Sequence, residues 1–277
     1  MLKEKYVFDW KRIFKNDECH IEYSIIDICN KKCVSCSHLA PLAKNPNYTK
    51  KDEFKRVVKI MKKIIPKPDG FWLTGGEPTL HPNLLEILST LREEYNDANI
   101  GFFTNGIMFK SYEHNNCFWN FLKENGIIVL ITNYDIDKEF FINLFKEKSC
   151  EKNLSFVQNG NLFFKLINYS SNQDISKEKY IKCGWERSKI NIRNGRIYNC
   201  PSVEFVDIFN TYFSKQIKVS DNDYLLIDEN LTKERIDKYK NFIPFCANCD
   251  INNRYKKIIK NCNSRNNIDE WSSLNDK

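Results

Sequence analysis

Tyr23-Ser24-Ile25-Ile26-Asp27-Ile28-Cys29-Asn30-Lys31-Lys32-Cys33-Val34-Ser35-Cys36 runs from a largely apolar segment straight into three cysteines spaced C-x3-C-x2-C. Three thiolates from one short loop can hold three irons of a cubane cluster and leave the fourth open, whereas a structural or electron-transfer cluster usually takes four protein ligands. An open iron implies a bound small molecule. Zinc and a chance cluster of buried thiols are the competing readings. Zinc favours C-x2-C pairs and four ligands, and buried cysteines need no fixed spacing.

Composition narrows the choice. The chain has 277 residues, 42% hydrophobic and 14% aromatic, enough for a sizeable core and far from a disordered composition. No run approaches a membrane span of about 18 apolar residues, and residues 1–10 lack a signal-peptide core. A reducing, cytoplasmic location is therefore expected. There, 11 cysteines serve metals or catalysis rather than a disulfide framework, and an odd total cannot pair completely within the chain. The net charge of +7 is spread over lysine-rich helical faces without a basic block or low-complexity arm. That predicts a solvated surface with a lean toward anionic substrates or an acidic electron donor, and neither nucleic acid nor membrane as a partner.

Beyond the cysteine loop, Thr49 with Asp52 and Glu53 reads as a capping-box start, and Phe54, Val57, Val58, Met61, Ile64 and Ile65 recur at helical spacing up to Pro66. Residues 71–74 read as a strand running into Gly75-Gly76-Glu77-Pro78, and Leu84, Leu85, Ile87, Leu88 and Leu91 mark the next helix. The pattern repeats: residues 100–104 end in Asn105-Gly106, residues 126–132 end in Asn133-Tyr134-Asp135, and residues 140–145 lie on a helix. Residues 154–158 and 163–167 are two further strand candidates. Alternating strands and helices predict an α/β fold with a parallel sheet covered by helices. In such sheets ligands gather at the carboxyl ends of the strands, where Cys29, Gly75, Thr104 and Thr132 all fall.

From about Tyr169 the alternation fades. Residues 189–199 read as a β-hairpin in which Ile190 and Ile192 alternate with polar residues and Asn194-Gly195 makes a two-residue turn. The hairpin delivers Cys200 near its opening, with Cys183 shortly before it. The sequence thus divides into residues 1–170 and a smaller C-terminal domain, residues 171–277, carrying Cys183, Cys200, Cys246 and Cys249.

Cys29, Cys33 and Cys36, followed after the next strand by Gly75-Gly76-Glu77-Pro78, resemble the paired signatures of the radical SAM superfamily, over roughly residues 23–167. The resemblance implies a partial (β/α)6-type barrel and a [4Fe–4S] cluster on Cys29, Cys33 and Cys36. Its fourth iron would chelate S-adenosylmethionine, with Gly75, Gly76, Glu77 and Pro78 meeting the methionine amino group. By the same resemblance, Thr104, Asn105, Thr132 and Asn133 would contact the ribose and methionine, although Thr and Asn at strand ends also commonly cap turns. Ser35 departs from the family, which often has an aromatic residue before the third cysteine.

The C-terminal domain resembles the twitch domain, the shortened form of the SPASM extension. Cys183, Cys200, Cys246 and Cys249 reproduce its four-ligand layout for an auxiliary [4Fe–4S] cluster, and a four-cysteine zinc site fits the same count. The longer SPASM pattern would place further cysteines soon after Cys249, but residues 250–261 contain none. Cys262 is then an open-site ligand, a hydrogen-atom donor or an ordinary thiol. Cys19, Cys117 and Cys150 have no ligand spacing and read as structural, and His38 as a packing or hydrogen-bonding residue.

What this resemblance implies is an enzyme that reductively cleaves S-adenosylmethionine to a 5′-deoxyadenosyl radical and removes hydrogen from a substrate. A reductant such as flavodoxin or ferredoxin would supply the electron. Only about twenty residues precede the cysteine loop, too few for a leader-binding domain, which favours a small molecule over a peptide. The expected reaction is oxidation or epimerisation of a sugar, polyol or nucleotide-activated sugar. Peptide maturation is the second expectation, and a non-enzymatic zinc-binding adaptor the third.

Overall fold

A single register line explains why this chain folds as it does. Ile192, Tyr23, Leu73, Phe102, Val129 and Leu154 stand side by side on six neighbouring parallel strands, and all six are buried in the principal core. The computed structural model describes residues 7–8, 19–45, 47–132, 136–157, 162–163, 165, 167–168, 176–183, 189–240, 242–251, 259–260 and 263–272. In chain order the strands are β1 (Val7–Phe8), β2 (His20–Ile26), β3 (Gly70–Gly75), β4 (Asn99–Thr104), β5 (Ile128–Thr132), β6 (Leu154–Val157), β7 (Leu162–Phe163), β8 (Lys189–Arg193), β9 (Arg196–Tyr198), β10 (Leu225–Leu226) and β11 (Ile259–Lys260). Nine of them form one sheet in the order β1-β6-β5-β4-β3-β2-β8-β9-β10, parallel from β1 through β8 and antiparallel thereafter.

Helices fill the crossovers: α1 (Lys51–Ile64), α2 (Leu84–Glu94), α3 (Phe109–Tyr112), α4 (Asn116–Glu124) and α5 (Lys138–Glu147). Their apolar stripes, among them Phe54, Val57 and Met61 on α1 and Leu88 and Leu91 on α2, cover one face of the sheet. Because side chains alternate along a strand, the residue one step earlier on β2 faces the opposite side. Glu22 on β2 stands there beside Trp72 on β3 and Asn191 on β8, so the second face carries polar groups. This open α/β sheet is consistent with a partial barrel, as expected.

Several expectations need adjustment. Thr49 does not cap α1: the N-cap is Lys50, while the Thr49 N–H donates to Ile25 O at 2.8 Å and its carbonyl contacts the His81 ring at 3.1 Å. Residues 163–167 do not extend the parallel sheet. Leu162–Phe163 pairs antiparallel with Ile259–Lys260 in a two-stranded sheet, and Ile167 makes isolated bridges to Cys249 and Ser272.

The hairpin forms as read, with Asn194 and Gly195 both at positive φ (51° and 67°). It does not stand apart, however. β8 pairs with β2, and Ile190, Ile192 and Ile197 enter the principal core. A division at residue 170 therefore does not separate two cores. Two smaller apolar clusters stand beside the principal core: one joins Leu39 and Leu42 to Phe205, Phe209 and Trp271, and the other, around Tyr198, Val206 and Phe245, belongs to the C-terminal part.

Candidate active site

The cysteine loop and the Gly75–Pro78 strand end are built as one piece. Gly76 N–H donates to Ile26 O at 2.6 Å and Glu77 N–H to Ile28 O at 2.8 Å, tying the end of β3 to the chain entering Cys29. This approach explains both glycines. Gly75 has φ +130°, and a Cβ there would lie 2.2 Å from Ile26 O; one on Gly76 would lie 1.9 Å from Ile28 O.

Glu77 organises the next strand end. Its buried carboxylate accepts hydrogen bonds from Thr79 Oγ1 at 2.6 Å, Thr104 Oγ1 at 2.7 Å and the Asn105 N–H at 2.8 Å. Burial raises its pKa and these bonds oppose the rise. The Thr104 hydroxyl also accepts the Gly106 N–H at 3.0 Å, so its donor and an acceptor position are both engaged inside the loop. That geometry gives Thr104 a capping role, in addition to its place in the cavity lining. Asn105 turns toward the cysteine loop, with Nδ2 2.8 Å from Asn30 Oδ1 and 3.5 Å from Cys29 Sγ. Asn133 lies outside the described residues.

Cys29, Cys33 and Cys36 line one cavity of about 200 Å³ with Gly75, Gly76, Glu77, Pro78, Thr104, Asn105 and Thr132. The donor set suits a thiolate-bound group. Cys36 Sγ is met by the backbone N–H groups of His38, Leu39 and Ala40, and Cys29 Sγ by that of Lys31 at 3.3 Å. Burial nevertheless pushes the Cys29 thiol up to about 12, so a bound cation is what would hold these sulfurs as thiolates. Among the described residues no three ligating side chains converge on the position of a single ion. A cubane takes its thiolates at separate corners, further apart than one zinc ion does.

Sequence reasoning missed two charged residues of the cavity lining. Glu22 from β2 and Lys189 from β8 stand there together, 2.9 Å apart, with side-chain exposures of 16% and 14%. Lysine and burial act in opposite directions on Glu22, whose pKa ends below the usual carboxylate value. The signal available was Glu22 as the one acidic residue in the alternation His20-Ile21-Glu22-Tyr23-Ser24-Ile25. His38 also lines the cavity, 3.1 Å from Thr74 Oγ1 and 3.4 Å from Ser37 Oγ, in edge contact with Phe205. Burial lowers its pKa to about 4 and keeps it neutral. Its hydrogen bonds agree with the role read from sequence, but it faces the cavity while making them.

The second cysteine group gathers from three places. Cys183 follows the α6 helix (Ser176–Lys182), Cys200 follows β9, and Cys246 and Cys249 bracket the 3-10 turn Pro244–Asn248. Burial pushes the Cys200 thiol up to about 12, and Cys249, Cys246 and Cys183 all add to the shift, so the four share one electrostatic neighbourhood. Of the other thiols, Cys150 is buried, Cys117 exposed and Cys19 half-buried, and none lines this cavity. Cys262 lies outside the described residues.

Residues 23–143 match the model of the family described as the radical SAM superfamily. This stretch is a radical SAM superfamily domain. Two relatives add local identity. One is the probable GTP 3′,8-cyclase of Thermoplasma volcanium, 39% identical over 80 residues, which cover 29% of this chain and 23% of the relative. The other is the GTP 3′,8-cyclase of Mannheimia succiniciproducens, 30% identical over 95 residues, covering 34% and 28%. The matched stretch is thus a quarter or so of each relative's length. Among solved structures, BtrN in complex with AdoMet and 2-DOIA is similar with a TM-score of 0.48 and 16% identity, over 84% of this chain and 93% of that one. SuiB of Streptococcus suis bound to precursor peptide SuiA has a TM-score of 0.42 and 13% identity, over 81% and 65%. The radical SAM domain holds all three loop cysteines and the Gly75–Pro78 strand end.

Proposed function

We propose that the chain is a radical SAM enzyme that removes hydrogen from a small polar molecule, a sugar, polyol or nucleotide-activated sugar, and leads it to oxidation or epimerisation. One observation carries this reading. The loop cysteines, the Gly75–Pro78 strand end and the Glu22–Lys189 pair line the same cavity, so a cluster site and a polar pair share it. A cluster and S-adenosylmethionine held there would supply the radical chemistry for removing hydrogen from the substrate.

The chain's own residues do the positioning. Cys29, Cys33 and Cys36 would hold three irons, and the backbone of Gly75 and Gly76 would meet the methionine end. Glu22 and Lys189 offer an acceptor and a donor to substrate hydroxyl, amino or phosphate groups. Trp72 and Phe103 give the second sheet face an apolar portion, with Phe103 lining the cavity. Cys183, Cys200, Cys246 and Cys249 would hold an auxiliary [4Fe–4S] cluster, which for an oxidation would serve as acceptor of the one electron released when the substrate radical loses a proton. Flavodoxin or ferredoxin would reduce the first cluster.

A purine nucleoside triphosphate is the second reading, favoured by the local identity to GTP 3′,8-cyclases and by Lys31 and Lys189 at the cavity. The two are separated by incubating the reconstituted protein with S-adenosylmethionine and dithionite, alone or with myo-inositol, glucose 6-phosphate, UDP-glucose or GTP. Under the first reading a polyol or sugar raises 5′-deoxyadenosine above the substrate-free level and is recovered two hydrogens lighter or with solvent deuterium at one carbon. Stimulation by GTP alone replaces it with the second. Glu22→Gln and Lys189→Met should each raise KM for the active compound.

A further inference from the structure

Helix α6 departs at two positions from the usual polarity of a surface helix. Lys177 and Lys182 are exposed and Ile181 is 69% exposed, yet Lys179 is only 5% exposed. Burying an ammonium while leaving an isoleucine in water costs stability on both counts, so something fixed by the fold must hold Lys179 inward. Its Nζ donates to the Ala247 carbonyl at 2.5 Å. Ala247 lies between Cys246 and Cys249 on the 3-10 turn, and Cys183 is tied to the end of α6 by a bond from its N–H to Tyr180 O. The ammonium is therefore anchored to the turn carrying two of the four cysteines, from the helix leading to a third. Burial lowers its pKa, while Cys249, Asp250 and Cys246 favour its charge. Asp250 is itself buried, at 2% exposure, beside Cys249.

We propose that Lys179 is a fixed cation that raises the reduction potential of the iron–sulfur cluster held by Cys183, Cys200, Cys246 and Cys249, with Asp250 as the opposing charge. The inference rests on the auxiliary-cluster reading above. Net charge and hydrogen bonding around a cluster set its potential, because each added electron is stabilised by nearby positive charge and opposed by negative charge. In the proposed oxidation the deprotonated substrate radical gives up one electron and the auxiliary cluster gains it, so a raised potential favours that transfer. Lys179 touches no substrate and is a positioning residue for charge.

The test is an EPR-monitored redox titration of the full-length chain bearing Cys29→Ala, Cys33→Ala and Cys36→Ala, leaving the auxiliary cluster as the source of signal; if that variant does not fold, the unsubstituted chain is titrated and the two signals resolved. Lys179→Gln should lower the midpoint potential, Lys179→Arg should restore it, and Asp250→Asn should raise it, with iron and sulfide content unchanged. Opposite shifts from two neighbouring substitutions are not what a merely structural role produces. An unchanged or raised midpoint in Lys179→Gln, with iron retained, overturns the proposal. Should Lys179→Gln assemble no cluster, the other two variants decide: parental potential in Lys179→Arg with an upward shift in Asp250→Asn supports it, and any other result refutes it. Zinc without iron in the unsubstituted chain's second site instead removes the auxiliary-cluster reading itself.

Discussion

The carboxylate of Glu77, at the end of β3, accepts the backbone N–H of Asn105, at the end of β4, across 2.8 Å. The same carboxylate takes the Thr104 and Thr79 hydroxyls, so two strand-end loops are held in register beside the cysteine loop by one buried group. Glu77→Gln replaces one acceptor oxygen with a donor facing donors. The expected loss is about 1–3 kcal/mol of stability, and with it weaker S-adenosylmethionine binding. Thermal unfolding and calorimetric titration check the two effects separately.

Steric approach at the strand end predicts a sharp contrast between glycines. A Cβ on Gly76 would sit 1.9 Å from the Ile28 carbonyl oxygen, a backbone atom with nowhere to go. Gly126, at φ +57°, has no neighbour within 4 Å. Gly126→Ala should therefore cost only about 1–2 kcal/mol of left-handed strain, whereas Gly76→Ala should lose both stability and cluster occupancy. Equal denaturant midpoints for the two variants would contradict the packing described.

Arg193 joins the end of β2 to the C-terminal helices. Its guanidinium bonds Asp27 through Nε and Nη2 at 2.9 Å each, and Asp207 through Nη1 and Nη2 at 2.9 and 3.0 Å, while the ring of Phe205 lies 5.0 Å away. Breaking a buried pair strands its partner, at a cost of about 3–5 kcal/mol. Arg193→Met should lose that much. Adding Asp27→Asn should recover part of it, a non-additivity that a double-mutant cycle measures.

Much of this was legible in advance. The helices showed because their stripes recur at 3.6 residues, and the central strands because each ends at a recognisable loop. Pairings between distant segments were not. β1 and β10 are two residues long, too short to show a period, and nothing local in residues 189–193 announces that they pair with β2. For the site, the loop cysteines and the Gly75–Pro78 motif carry their spacing within the sequence. The partners of Thr104 and Asn105 are 27 positions or more away, at Glu77 and at Asn30, so these loop hydrogen bonds were invisible. Glu22 showed as a charge within an alternating strand, but its significance depends on Lys189, which reaches it through the β2–β8 pairing.

His20 gives the pH dependence of stability a definite sign. It is fully buried at the start of β2, and burial lowers its pKa from 6.5 to about 4. At neutral pH it is uncharged, so its 3.8 Å approach to Glu22 is not then an ion pair. The unfolded chain binds this proton more readily than the folded one. Stability should consequently fall as pH drops from about 6.5 through about 4, by up to about 3 kcal/mol from this group. Denaturant titrations across that range should show a shallower slope in His20→Gln.

Cluster content combined with S-adenosylmethionine cleavage is the most direct measurement. Anaerobically reconstituted protein should contain about eight irons with matching sulfide, as two [4Fe–4S] clusters require, and should release 5′-deoxyadenosine when given dithionite and S-adenosylmethionine. The variant carrying Cys29→Ala, Cys33→Ala and Cys36→Ala should keep about four irons and release none. A colourless protein holding zinc without iron or sulfide, or undiminished cleavage in the triple variant, would contradict the assignment of the Cys29–Cys33–Cys36 loop as the radical-generating site.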